Sequence, residues 1–461
     1  MTLISTRRSV LSGLAVAPFA NTLAHAAAAA PAPEPVNPIV RRRADAQVFR
    51  HTDGMYYMTG SVPEYDRLVL RRSRTIAGLT TARETVLWRH LAKGPLSGFI
   101  WAPELHRIGR QWIMYFAAGP SGGGEDVFRI RTYALACDGA DPMTGKWSLL
   151  GQLQTPWDSF NLDSTSFVHR GTRYLCWAQR EPGIETNSNL YLAPLTTPLT
   201  LARAPVRLSV PTLDWEVRGF KVNEAPAILE RNGRLFMTYS ASATDQRYCL
   251  GLLTARADAD IMQASAWTKS QVPVFVSSAA TGVYGPGHNS FTVDEQGRDV
   301  MIYHGRDYAE IKGDPLFDPN RETRVQRLYY TADGTPDFGV PVGNGPLPVR
   351  MSPKGRAGVF LRVEGDRVGV GPGPLPATQF RRLPGGAPGT IALEPIERRG
   401  ERVCRAPDGG LIVARVDGGD PRGSFRMAAG TLRAADGSGA VRVTGDTVRL
   451  GAGAGTRFTL S

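Results

Sequence analysis

Residues 230–240, ERNGRLFMTYS, set a polar turn around Gly233 and follow it with an apolar, aromatic-rich run. Four other stretches read the same way: HTDGMYYMTG (51–60), RIGRQWIMYF (107–116), HRGTRYLCWA (169–178) and DEQGRDVMIYH (294–304). Their glycines, Gly54, Gly109, Gly171, Gly233 and Gly297, stand 55, 62, 62 and 64 residues apart. Each unit has a strand, the glycine turn, a second strand ending in an aromatic residue, and a longer excursion. The excursion holds a second strand pair, as in RLVLRRSRTIAGLTTARETVLW (67–88). Units of four short strands at this period predict propeller blades, whose equivalent positions converge on one axis. Five units predict an all-β chain with a five-bladed β-propeller over residues 38–344. Trp88, Trp147 and Trp267 close three excursions and are expected to pack between blades.

Near residue 345 the texture changes. GNGPLPVRMSPKGRAG (343–358) is rich in Gly, Pro and basic residues and reads as a link. Three weaker units follow, ending in Phe380, Phe425 and Phe458, and each pairs two short strands. They predict a β-trefoil-like domain over 345–461. Asp366, Asp417 and Asp446 in these units fit turn chemistry as well as sugar contacts.

The N-terminus reads as a targeting segment. Arg7 and Arg8 precede a short apolar run and small residues, the pattern of a twin-arginine export signal over residues 1–30. Residues 31–37 form a flexible or extended leader. The mature chain is therefore expected to be periplasmic or secreted. Later stretches fall short of the roughly 18 continuous apolar residues of a spanning helix, so no membrane partner is expected. The net charge of +12 comes almost wholly from dispersed arginines, with six lysines among 54 basic residues. A nucleic-acid binder clusters its basic residues, so nucleic acid is not expected either. Cys137, Cys176, Cys249 and Cys404 lie far apart without metal-ligand spacing. Cys176 and Cys249 read as core residues, and pairing stays open.

Three carboxylates stand eight or nine residues before a blade glycine: Asp45, Asp163 and Glu224. Singly, each fits turn chemistry. Together they are expected to share one register on the strands lining the axis, where mutual repulsion would have to be offset. Convergent acids in a pocket are a candidate active site. Trp101 is placed to stack on a sugar. His288 is placed to hold an axial cation such as calcium, an ordered water, or one of the acids. Arg306 is placed to bind a hydroxyl or orient a carboxylate. Asp158, Glu181, Glu185, Asp214 and Glu216 lie in loops and have no distinguishing spacing. No phosphate-cradling glycine loop precedes a helix, so no organic cofactor is expected.

At these residues the chain resembles glycoside hydrolase family 43, the five-bladed-propeller glycosidases. RADAQVF (43–49), WAPELH (101–106), VNEAPAIL (222–229), GPGHNSF (285–291) and YHGRDY (303–308) occur in the family's order at blade spacing, across roughly residues 38–340. HTDGMYYMTGSVPEYDRLVLRRS (51–73) resembles members that remove α-L-arabinofuranosyl units, and the C-terminal repeat looks like an arabinose-binding trefoil. The resemblance implies Asp45 as general base, Glu224 as general acid and Asp163 as the residue tuning the acid. It also implies plant cell-wall polysaccharide or oligosaccharide as substrate and a monomeric enzyme. Inversion requires the two carboxyls about 6.5–9.5 Å apart, and the acid must stay protonated near neutral pH. Two positions depart from the family's pattern. Ala46 replaces a proline, and Ala225 replaces a glycine and is expected to exclude glycine-only geometry. A β-D-xylosidase of the same fold and a non-catalytic carbohydrate-binding protein are the competing readings.

Overall fold

A computed structural model describes residues 33–122 and 126–461. The export signal, residues 1–30, and the first two leader residues lie outside the described residues. From Pro33 onward the chain forms one compact unit. Among the described residues, no helix is long and apolar enough to cross a membrane.

Blade one runs Ala44–Arg50, Tyr56–Ser61, Arg67–Ser73 and Thr85–Arg89 in sequential antiparallel order. Blade two repeats it with Gly98–Ile108, Gln111–Gly119, Arg131–Cys137 and Trp147–Gln152. Blade three has Asn161–His169, Thr172–Gln179 and Asn189–Thr197, whose edge takes both Thr200–Leu201 and Val206–Ser209. Blade four has Asn223–Arg231, Arg234–Ala241, Cys249–Arg256 and Thr268–Lys269. Blade five has only Tyr284–Val293, Asp299–Arg306 and Glu322–Arg327 of its own. The first strands of successive blades adjoin around the ring, and the fifth adjoins the first.

The leader supplies blade five's missing edge. Val40 bridges Thr323, and Ile39 N–H donates to Thr323 O at 2.9 Å. The buried Asn37 amide donates to Val325 O and Val342 O, while its Oδ1 accepts Val325 N–H. Val36–Asn37 also pairs with Gly345–Pro346, so the end of the leader is fixed extended chain.

Trp88 meets Phe116 of the next blade at 5.4 Å between centroids, and Trp267 is buried. All four cysteines are buried and free.

Each blade's first strand carries the same irregularity. Opposite its partner strand, one extra residue is inserted between Ala44 and Gln47, Trp101 and Glu104, Leu162 and Thr165, Glu224 and Ala227, and Gly287 and Ser290. These are β-bulges. The residue entering each has a positive φ: Asp45 (53°), Ala102 (44°), Asp163 (55°), Ala225 (51°) and His288 (43°).

The C-terminal strands form a trefoil. Val349–Pro353 pairs with Gln379–Pro384 and with Phe458–Leu460. The ring continues through Ile391–Pro395, Phe425–Ala428 and Thr431–Ala434, and a Thr431–Arg457 bridge closes it. Three hairpins, beginning at Phe360, Arg402 and Ala440, touch one another to make the cap. Phe380, Phe425 and Phe458 meet in its core. Val349–Pro353 falls inside the stretch expected to be a link. Its alternating burial, with Val349, Met351 and Pro353 inward, is masked by the Gly, Pro and basic residues around it.

Replacing Asn37 by Ala strands buried backbone groups of blade five. Each such group costs about 1–3 kcal/mol. Asn37→Ala is therefore expected to lower the thermal midpoint by several degrees, and an unchanged melting curve would mean the leader does not close the ring.

Candidate active site

The bulges turn side chains into a cavity of about 300 Å³ at one end of the axis. Asp45, Asp163, Glu224, Trp101 and His288 line it, together with Arg321, which sequence reading missed. Arg306 does not.

The three acids are not equivalent in register. Asp45 and Asp163 occupy the bulge position, matched by Ala102, Ala225 and His288. Glu224 stands one residue earlier, matched by Ala44, Trp101, Leu162 and Gly287. Distance to the glycine misled because hairpin length varies. Blades one and five turn through the loops 51–55 and 294–298, whereas blades two, three and four use two-residue turns.

Four of the five bulge N–H groups are caught by the preceding blade. Ser61 Oγ accepts from Ala102 N–H, Ser240 Oγ from His288 N–H, and His304 Nδ1 from Asp45 N–H at 3.2 Å. In blade three the matching residue is Ala178, opposite Leu162, which has no acceptor. There Asp163 Oδ2 accepts Ala225 N–H at 3.0 Å. Ala225 thus adopts a left-handed conformation that was expected to exclude it. That conformation costs a non-glycine residue about 1–2 kcal/mol, offset here by the hydrogen bond.

The acids differ in protonation. Burial alone would raise Asp45, but the charges of Arg321 and His288 and the His304 contact outweigh it and hold the carboxyl well below its usual range. Arg321 Nη1 donates to Oδ1 at 3.2 Å and Ser61 Oγ to Oδ2 at 2.6 Å. Burial pushes Glu224 up to about 7, with Asp45's charge adding to it and the Tyr248 hydroxyl, donating at 2.7 Å, opposing it. Burial and then the charge of Glu224 hold Asp163 well above its usual range. Burial is therefore the leading cause at Glu224, where sequence reasoning had assigned that part to Asp163.

Arg306 is a loop anchor. Its guanidinium donates to Asp318 Oδ1, Thr244 O and Pro315 O, which leaves it committed within the protein. It holds the segment bringing Asp314, Pro315 and Leu316 to the cavity wall. His288 Nδ1 sits 3.3 Å from Asp45 Oδ1. Calcium takes six to eight oxygen ligands, and no group of three or more His, Cys, Asp or Glu among the described residues could hold a metal. None of the five loop carboxylates lines the cavity; Glu216, for example, is buried against Lys269 Nζ at 2.6 Å. Arg321 and Tyr248 lie at strand edges, where neither periodicity nor spacing marks them.

A five-bladed propeller with buried, unequally protonated carboxyls at its axis defines a hydrolase-type site. The chain belongs to glycosyl hydrolases family 43, whose model matches residues 35–336. An alpha-L-arabinofuranosidase of Humicola insolens is 50% identical over 410 residues, 87% of this chain and 84% of its own length. An extracellular exo-alpha-(1->5)-L-arabinofuranosidase of Streptomyces chartreusis is 54% identical over 314 residues, 68% of this chain and 95% of its own. The crystal structure of an alpha-L-arabinofuranosidase from Lactobacillus brevis superposes with a TM-score of 0.66 at 47% identity, covering 67% of this chain and 98% of that one.

Ala225→Gly removes the left-handed strain, so it should leave stability unchanged or raise it by up to about 1 kcal/mol. Ala225→Val should lower it by about 1–3 kcal/mol, because β-branched residues rarely adopt positive φ. Urea unfolding of the pair checks both signs.

Proposed function

We propose that the chain is a secreted, inverting glycosidase that releases terminal α-L-arabinofuranosyl residues from arabinan- or arabinoxylan-type polysaccharides and oligosaccharides. The observation carrying this reading is that Asp45 and Glu224 line one pocket with unlike partners, Arg321 and Ser61 on Asp45 and the Tyr248 hydroxyl on Glu224. Asp45, ionised, takes a proton from water as that water attacks the anomeric carbon. Glu224, protonated, gives its proton to the departing glycosidic oxygen. Asp163 holds the Ala225 N–H and, through repulsion, helps keep a proton on the pair. A cavity of about 300 Å³ is at the lower end of ligand pockets, which suits one terminal sugar. Trp101 supplies an apolar wall. The names of the relatives favour the arabinofuranosyl substrate, and the twin-arginine motif together with an extracellular relative favours secretion. No organic cofactor enters the reaction, the enzyme acts as a monomer, and the trefoil is read as a glycan-binding module.

The pH dependence follows from the signs. Asp45 is ionised from well below pH 4 upward, whereas Glu224 loses its proton as pH rises through about 7. In the free enzyme kcat/KM should therefore be high in mildly acidic solution and fall above about pH 7. A profile still rising beyond pH 8 would contradict the acid assignment.

Glu224→Gln and Asp45→Asn should each lower kcat by about 10²–10⁴-fold, the usual worth of a general acid or base. Proton NMR of arabino-oligosaccharide hydrolysis should show the β-anomer first. Initial α-anomer, or faster hydrolysis of nitrophenyl xylopyranoside than of nitrophenyl arabinofuranoside, would overturn this reading.

A further inference from the structure

Gly287 has no backbone reason to be glycine, since it is not among the glycines at positive φ. What excludes a side chain is Tyr248: a Cβ on Gly287 would overlap Cδ1 and Cε1 of its ring. His304, directly across the hairpin from Gly287, stacks on the same ring at 5.6 Å with planes 3° apart. His304 is fully buried and burial lowers its pKa to about 4, so it is a neutral imidazole near neutrality. Two residues of blade five thus seat a tyrosine of blade four. From that seat the hydroxyl reaches Glu224 Oε1 at 2.7 Å, while His304 Nδ1 takes the N–H of Asp45.

We propose that Tyr248 is the positioning residue of the acid, held in place by Gly287 and His304, so that one stacked pair fixes the acid's carboxyl and the base's backbone together. This rests on Glu224 being the acid. The other groups facing Glu224 are Asp45 from blade one, Asp163 from blade three and Arg321 from the segment before Glu322–Arg327. A hydroxyl donating to the ionised carboxylate favours ionisation; removing it leaves the proton more tightly held. Gly287 does not line the cavity; a methyl group there would press hardest on the Tyr248 ring and, less closely, on Ser240 Oγ, which holds the His288 N–H.

The test compares Tyr248→Phe and Gly287→Ala with wild type, and uses Glu224→Gln as control, on arabino-oligosaccharide across pH, because its sugar alkoxide needs the acid's proton to leave. Tyr248→Phe should move the alkaline limb of kcat/KM up by about one pH unit, the scale of one hydrogen bond to a charged group. It should also lower kcat several-fold at pH 6, with a near-native melting curve. Gly287→Ala should move the same limb in the same direction although Tyr248 is still present. An unmoved limb in folded Tyr248→Phe, with Glu224→Gln inactive, overturns the proposal alone; if Gly287→Ala does not fold, Tyr248→Phe decides. An active Glu224→Gln would instead remove the acid assignment on which it rests.

Discussion

One extra residue in the first strand of every blade, held at positive φ, is the constraint on which the site depends. Without the bulge the strand would alternate its side chains between the two faces of the blade. With it, each blade turns the residue at the bulge, the one before it, or both to the cavity wall: Asp45, Trp101 and Ala102, Leu162 and Asp163, Glu224, and His288. For residues other than glycine this conformation is costly. The cost is offset by the preceding blade, which catches the bulge N–H with Ser61, Ser240 or His304. Where Ala178 offers no acceptor, Asp163 takes over. Ring closure and the placing of the acids are thus one set of hydrogen bonds.

The acids can be buried together because their surroundings are unequal. Asp45 accepts from Arg321 and Ser61, with His288 Nδ1 3.3 Å away. Glu224 accepts from the Tyr248 hydroxyl and Asp163 from the Ala225 N–H, with His288 Nδ1 3.9 Å from Asp163, and burial is the largest influence on both. Two carboxyls sharing one apolar-walled pocket cannot both ionise without large repulsion. Asp45 is thereby held toward its ionised form and Glu224 toward its protonated form within one site.

How much of this was legible varied with the range of the signal. The blade period, the three C-terminal phenylalanines and the inter-blade tryptophan Trp88 were visible as composition recurring at fixed spacing. Asp45, Asp163, Glu224, Trp101 and His288 were found because they cluster at the same end of their strands. Arg306 holds a carboxylate, that of Asp318, outside the cavity lining, since an arginine ending the motif strand looks the same in sequence whether it faces the pocket or a loop. The strand Val349–Pro353 was hidden by its own composition. Ala225 was misjudged because a hydrogen bond from another blade pays for its conformation. Arg321 and Tyr248 reach the site across blade boundaries, and nothing local distinguishes them.

By itself the sequence determined the repeat, and the repeat determined the fold, because short strands with an apolar face can bury it only against their neighbours. It also determined which carboxyls lie near the axis. Only the tertiary structure decided that Glu224 precedes its bulge while Asp45 and Asp163 occupy theirs, and that Tyr248 and Arg321 complete the site. Register and protonation both depend on partners supplied by other blades, and a linear pattern does not contain those distances.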